Sequence, residues 1–217
     1  MTLRLYGHLF SSYTWKALIA LYANDTAFDF HGLGPGHDAD NEFVAAAHPA
    51  GKFPVLVDGD RVIVEATAII EHLALHHPGT APLIPADPAT AAVARMIDRV
   101  FDNYVMGNGQ RVVGAYIANM ESPDPSEVEA GKAGLRRAYA WLERWLESDA
   151  LPPHVSLVSC AAAPSLFYGD WIEPIPAERP RLAALRAELL AMPPVVRCVE
   201  DARPYRGYFP PGAPDRD

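Results

Sequence analysis

Four prolines, Pro78, Pro82, Pro85 and Pro88, fall within the single stretch HHPGTAPLIPADPAT. Each removes a backbone donor and fixes φ, so neither a helix interior nor a central strand accommodates them at this density. The chain must cross residues 78–88 as an irregular connection, and the hydrophobic pattern changes period across it. Ahead of it, short apolar runs alternate with helical spacing; behind it, only long helical periods occur. That division predicts two units, residues 1–77 and 89–217, joined by a linker over 78–88.

In the first unit LRLY (residues 3–6) reads as a short strand, and Trp15, Leu18, Ile19 and Tyr22 carry helical spacing over residues 11–24. AFDFHGL is a second strand. DADNEFVAAAHPAG is a short helix closed by Pro49 and Gly51, and FPVLVDGDRVIVEATAIIEHLALHH resolves into a strand, an Asp-Gly turn, a strand and a helix. The order is β-α-β-α-β-β-α. Beyond the break, helical periods run over roughly 88–120, 125–149, 156–171, 180–191 and 193–203, with no strand candidate among them. The tail YRGYFPPGAPDRD holds too much Pro and Gly for more than a surface-hugging or loose extension.

Composition removes several classes of function. A net charge of -9 and no basic run longer than Arg136-Arg137 argue against nucleic acid and against anionic membrane surfaces. No apolar run approaches the ~20 residues of a membrane span, and MTLRLYGHLF is not a signal peptide. A cytoplasmic protein without membrane attachment is expected. Cys160 and Cys198 stand alone, without C-x-x-C spacing, and read as apolar helix positions rather than zinc or disulfide partners. His72 and His76 have the spacing of metal ligands on one helix, but no third ligand lies within sequence reach, so a solvated helix face and no metal site are expected.

Ser11 and Ser12 pose a sharper question. One hydroxyl satisfies an N-cap, so the second serine is surplus to capping, at a helix N-terminus that favours negative charge. The bland alternative is that both cap and pack. Phe53-Pro54 begins a strand, where proline is unexpected unless the strand is an edge or the bond is cis. Lys52 just before it would otherwise pass for solvated surface. VEAT (64–67) opens a further helix, another terminus that favours an anion.

A β-α-β-α-β-β-α unit with a strand entered through proline is the thioredoxin arrangement, and an all-α unit after it narrows the choice. The chain resembles a cytosolic glutathione transferase over nearly its whole length. The resemblance rests on SSYTWKALIAL, HPAGKFPVLVDGD, VEATAIIEHL, the Asp-Pro start of the second unit and VSLVSCAAAPSLFYGDW. The first is most similar to the zeta class, whose Ser-Ser-Cys-x-Trp-Arg reads here Ser11-Ser12-Tyr13-Thr14-Trp15-Lys16. The implied fold is α+β followed by all-α: an N-terminal thioredoxin-like domain and a C-terminal all-helical bundle domain.

The resemblance implies glutathione as cosubstrate. One serine caps the helix and the other donates to the thiolate; the zeta-like match gives the thiolate role to Ser11, with Ser12 as the close second choice. It also implies a cis Phe53-Pro54 bond, with the Phe53 backbone pairing the cysteinyl part of the peptide, Lys52 reaching the glycyl carboxylate, and Glu65 and Ala66 at the γ-glutamyl end. The family pattern there is Glu-Ser, so Ala66 lacks a hydroxyl contact. Ser156-Leu157-Val158-Ser159 departs as well, since Ser159 stands where a capping carboxylate belongs and should reach back less well. Phe10, Tyr104 and Met106 are candidates for lining the pocket of a small apolar electrophile, and FDNYVMGNGQRVV reads as locally loosened helix. Asp98 or Asp102 is a candidate to reach the ligand of a partner subunit, because the resemblance and the long apolar helices imply a homodimer. The expected activity is transfer of the glutathione thiolate to that electrophile. The alternatives are a zeta-like isomerase and a non-catalytic ligand-binding or regulatory protein, which Ala66 favours.

Overall fold

The computed structural model describes residues 2–217. Its first part follows the expected order: β1 (Leu3–Gly7), α1 (Ser12–Ala23), β2 (Phe28–Gly32), α2 (Asp38–Ala47), β3 (Val55–Asp58), β4 (Arg61–Val64) and α3 (Ala66–His76). The sheet runs β2-β1-β3-β4, with β1 parallel to β2 and antiparallel to β3. A parallel pair requires a crossover, which α1 supplies; the antiparallel pair β3–β4 needs only a tight turn. That turn is Asp58–Gly59–Asp60–Arg61, with Gly59 at a φ of 59°. β3 is therefore central, and Pro54 stands one residue ahead of it, outside the ladder. The Phe53-Pro54 bond is cis.

The helical region comprises α4 (Pro88–Val100), a π-helical stretch (Phe101–Met106), α5 (Gly107–Ala118), α6 (Pro125–Trp145), α7 (Leu157–Ile172), α8 (Pro180–Leu190), α9 (Pro193–Ala202) and a 3-10 stretch (Arg203–Tyr208). The expected single helix over 88–120 is thus interrupted where FDNYVM widens into π geometry. Pro88 belongs to α4 rather than to the connection, because its missing N–H costs nothing in a first turn.

The two parts share one core. Nine residues of α1 are buried, including Trp15, Leu18 and Ile19, which suits a helix apolar on most sides and packed against α3, α7 and α9. Leu5, Trp15 and Ile69 pack in the same cluster as Phe101, Leu135 and Phe167. The proline-rich connection is tied to this core as well: Leu83 is buried, and its carbonyl accepts from the Leu157 N–H at 2.8 Å.

At the start of α7 the shorter serine does reach back, contrary to expectation. Ser159 Oγ accepts from the Ser156 N–H at 2.7 Å, close enough because Ser159 is fully buried beneath the turn. The weak limb of this box is the other one, since Ser156 Oγ has no hydrogen-bond partner. The tail is fastened rather than loose. Arg203 and Arg206 hold Asp217, Arg216 pairs with Asp170, and Phe209 is buried against Phe10, Tyr168 and Trp171.

Candidate active site

Two corners of the thioredoxin-like domain converge on one cleft. At the first, β1 runs into α1 through His8-Leu9-Phe10-Ser11, a loop held by hydrogen bonds at most of its residues. The Ser11 N–H donates to His8 O at 2.9 Å, the Phe10 N–H to His8 Nδ1 at 3.1 Å, and Trp15 Nε1 to Leu9 O at 2.7 Å. Tyr168 of α7 donates its hydroxyl to Phe10 O at 2.9 Å, fixing the loop from the helical side. Gly7 is required here, because a Cβ would stand 2.7 Å from the Thr14 side chain. Ser11 is the N-cap: its Oγ accepts from the Thr14 N–H at 3.3 Å. Ser12 is the first helical residue and is buried. Ser11, the first choice for the thiolate role, is thus the serine that caps. Ser11 caps through an oxygen lone pair and keeps its hydroxyl proton for another acceptor.

At the second corner β4 ends and α3 begins. Glu65 holds a φ of 70°, in the region that favours glycine, and makes no side-chain cap to the helix. Its carboxylate is 72% exposed and lies 3.4 Å from His48 Nε2. Ala66 follows, buried, at the head of α3. The first-turn amides of α3 thus have no capping side chain of their own.

Between the corners the cleft has a polar and an apolar chamber. The polar one, about 180 Å³, is lined by Tyr13, His48, Lys52, Phe53, Pro54, Glu65, Ala66, Arg99, Asp102 and Asn103. The apolar one, about 680 Å³, has Ser11 and Ser12 in its wall together with Phe10, Val105, Met106, Val113, Tyr168 and Ile172. Tyr13, Lys52 and Phe53 border both. Every peptide-site candidate thus meets one cleft: Ser11, Ser12, Lys52 and Phe53 at the apolar chamber, Lys52, Phe53, Pro54, Glu65 and Ala66 at the polar one. Burial pushes the Tyr13 hydroxyl up to about 12, helped by Asp102 and Glu65, so it stays protonated. Burial also lowers His8, which faces the apolar chamber as a neutral ring.

Of the three candidates for the apolar wall, Phe10 and Met106 are in place and Tyr104 is not. Tyr104 is 59% exposed and faces a separate groove with Val100, Arg137 and Trp141. The π-helical stretch rotates it away while directing Val105 and Met106 inward.

Comparison with known proteins agrees with this geometry. "Glutathione S-transferase 1" of Dianthus caryophyllus is 28% identical over 150 residues, spanning 68% of this chain and 66% of the carnation protein. "Probable maleylacetoacetate isomerase" of Vibrio cholerae is 24% identical over 213 residues, 94% of this chain and 98% of that one. The crystal structure of maleylacetoacetate isomerase from Methylobacterium extorquens AM1 with bound malonate and glutathione has a TM-score of 0.75 at 25% identity, covering 92% of this chain and 97% of that one. The family model for the glutathione S-transferase N-terminal domain matches residues 5–81. Residues 5–81 thus carry a glutathione S-transferase N-terminal domain, and the chain as a whole is similar to proteins of that name.

Two features of the site escaped the sequence. The first lies beneath the cleft. Lys16, at the Arg position of the zeta-like motif, is buried with its Nζ 2.7 Å from Asp98 and 2.7 Å from Asp102. Thr67 Oγ1 accepts from Lys16 Nζ at 3.0 Å and donates to Asp98 at 2.9 Å, and Arg99 closes the cluster from outside. Asp98 is 0% exposed and cannot reach a partner's ligand, because it is the counter-ion of a buried lysine. Asp102 lines the polar chamber of its own chain; burial raises its carboxyl against the pull of Lys16. No short motif signals such a cluster, since its members are 82 and 86 residues apart. The second is the tail, whose Tyr208, Phe209 and Pro210 complete the apolar chamber. Both cysteines are inert, with burial pushing Cys160 up to about 12 and Cys198 well above its ordinary range. Among the described residues no helix is long and apolar enough to cross a membrane.

Proposed function

We propose that the protein is a cytoplasmic enzyme that conjugates the glutathione thiolate to a small, uncharged, apolar electrophile. The observation that carries this reading is the two-chambered cleft, with Ser11 in the wall of the apolar chamber, two residues from Tyr13, which borders both, and a helix N-terminus behind it. A thiol of ordinary pKa, ~8.5, is only a few per cent ionised at neutral pH. Lowering it by ~2 units needs ~2.7 kcal/mol of preference for the anion. The free Ser11 hydroxyl proton and the first-turn amides of α1 are suited to supply that. The thiolate then forms a C–S bond as the electrophile's leaving group departs with its electron pair.

The polar chamber suits the rest of the peptide. Lys52 meets the glycyl carboxylate, the Phe53 backbone pairs the cysteinyl backbone, and the α3 amides from Ala66 onward receive the γ-glutamyl carboxylate while Glu65 holds its amino group. Exposed Val62, Leu75, Val93 and Met96 lie on β4, α3 and α4 and support a homodimer through these elements.

A second reading, isomerisation of a maleylacetoacetate-like acid, is favoured by the names of two relatives. The apolar chamber weighs against it: among the described residues Lys52 is the only formally charged one in its wall, and the peptide's own carboxylate takes that lysine. A non-catalytic binding protein is the remaining alternative. Calorimetric titration with glutathione and S-hexylglutathione decides among them, alongside turnover of chlorodinitrobenzene and of a cis-enedioic acid. Micromolar binding with chlorodinitrobenzene turnover is expected. Binding without turnover would establish the non-catalytic alternative, and turnover of the acid alone the isomerase.

A further inference from the structure

At the end of α3 remote from the cleft, His72 Nε2 and His77 Nε2 each stand 2.8 Å from the same oxygen, Oδ2 of Asp58. The three ligand-bearing atoms lie within 4.8 Å of one another. Of the histidine pair with helical spacing, His72 and His76, only His72 meets Asp58; the other ring that does is His77. His77 is the C-cap of α3, at φ −133° and ψ 53°, so its side chain leaves the helical path and turns toward the β3–β4 turn, which delivers Asp58. His76 is occupied elsewhere: Arg61 Nη1, which can only donate, lies 3.2 Å from His76 Nε2.

We propose that Asp58, His72 and His77 form a binding site for a divalent late-first-row transition ion such as Zn²⁺. Two imidazoles and a carboxylate are the donor set such ions select, leaving a fourth position for water. Bonds of about 2.0–2.2 Å in a tetrahedral site separate ligand atoms by about 3.3 Å. The present 2.8 Å contacts need widen by only about 0.5 Å. In the metal-free state each Nε2–H donates to the carboxylate, which holds Asp58 below the usual carboxylate range. On coordination each ring carries its proton on Nδ1 instead and stays neutral, so the metal replaces two hydrogen bonds without leaving a charge uncompensated. His72 is only 9% exposed, so this ligand is already held in place.

The site is not catalytic. Along α3, His72 and His77 stand about 9 and 16 Å beyond Ala66 at 1.5 Å per residue, and none of the three ligands lines the cleft. Its effect is a staple: it joins the β3–β4 turn to the C-terminal half of α3 and its C-cap.

The full-length protein, free of thiols and glutathione, is titrated with ZnCl₂ by calorimetry, and with Co²⁺ by visible absorption. One Zn²⁺ per chain with micromolar affinity is expected, with a Co²⁺ spectrum of four- or five-coordinate intensity. Zinc at 100 times Kd should raise Tm by about 5–10 °C. Asp58→Asn and His77→Ala should each weaken binding at least tenfold, and His76→Ala should leave it unchanged. Circular dichroism of the metal-free variants separates lost ligation from lost fold, and Asp58→Asn preserves shape. Absence of saturable uptake up to 1 mM zinc, a Co²⁺ spectrum of the hexaaqua type, or binding that survives both Asp58→Asn and His77→Ala would overturn the proposal.

Discussion

Two helices point their N-termini into the same cleft, and they are finished in opposite ways. α1 starts from Ser11, in extended backbone at φ −92°, with its hydroxyl accepting from the Thr14 N–H. α3 starts from Glu65 at a φ of 70°, with no capping side chain and with Ala66 where a hydroxyl would help. The first obeys the N-cap preference; the second breaks both the capping rule and the backbone rule. Rule-breaking that the surrounding fold tolerates is characteristic of ligand sites. The α1 terminus is complete before any ligand arrives and has one hydroxyl proton to offer. The α3 terminus has no side-chain cap of its own, and under the proposed function the peptide supplies its partner.

The largest effect follows from removing the complete terminus. Ser11→Ala should lower kcat/KM for chlorodinitrobenzene at neutral pH by about 100-fold, equivalent to ~2.7 kcal/mol, with a much smaller change in glutathione Kd. It should also cost about 1 kcal/mol of stability through the lost cap, read as a lower Tm. Ser11→Asn separates the two roles, since its side-chain oxygen caps but has no hydroxyl: Tm should recover and the rate should not. If Ser12→Ala shows the rate loss and Ser11→Ala does not, the roles are exchanged.

The open terminus should respond in affinity rather than rate. Glu65→Ala should weaken glutathione binding about tenfold, and Ala66→Ser should tighten it about tenfold, as one added charge-assisted hydrogen bond implies. Neither should move the pH dependence of the bound thiol, which lies at the other end of the peptide. Calorimetry alone sets these against the Ser11 variants. Silence in both would mean that the peptide does not enter as proposed.

Legibility in the sequence divides along the same line. β1, the α1 pattern and the Asp-Gly turn were readable because their signals are local in period and turn chemistry, and the convergence of Ser11, Pro54 and Glu65 on one cleft because they sit in spaced motifs. The π-helical stretch was legible only as loosening, so Tyr104 was assigned to a wall it does not touch. The Lys16–Asp98–Asp102 cluster and the Asp58–His72–His77 cluster were invisible, because the fold alone brings their members together. Phe209 was missed for a third reason: a proline- and glycine-rich tail carries no period, yet one aromatic ring fastens it.

A smaller effect tests the strain at the open terminus directly. Glu65→Gly relieves a backbone conformation that costs a non-glycine residue on the order of 1–3 kcal/mol, part of which the greater entropy of unfolded glycine takes back. Tm should rise by about 2–4 °C while glutathione affinity falls as in Glu65→Ala. A falling Tm would mean that the His48–Glu65 contact, at 3.4 Å, contributes more than the strain costs.

The smallest expected effect belongs to the complete terminus and concerns pH. His8 Nδ1 accepts from the Phe10 N–H at 3.1 Å, so that nitrogen is unprotonated, and burial lowers the ring's pKa from its ordinary 6.5. A histidine whose folded pKa lies below its unfolded value stabilises the fold while neutral. That contribution is fully present above pH ~6.5 and is lost as pH falls from there toward the folded pKa, because the unfolded chain takes up the proton first. Asparagine at this position offers Oδ1 as an acceptor close to where Nδ1 stands and does not titrate. His8→Asn should therefore match the wild type in Tm at pH 7.5 and exceed it at pH 5.5 by no more than about 2 °C, the difference isolating this ring from the other seven histidines. A His8→Asn difference that is equal at pH 7.5 and 5.5 would place the acid sensitivity of the first corner somewhere other than His8.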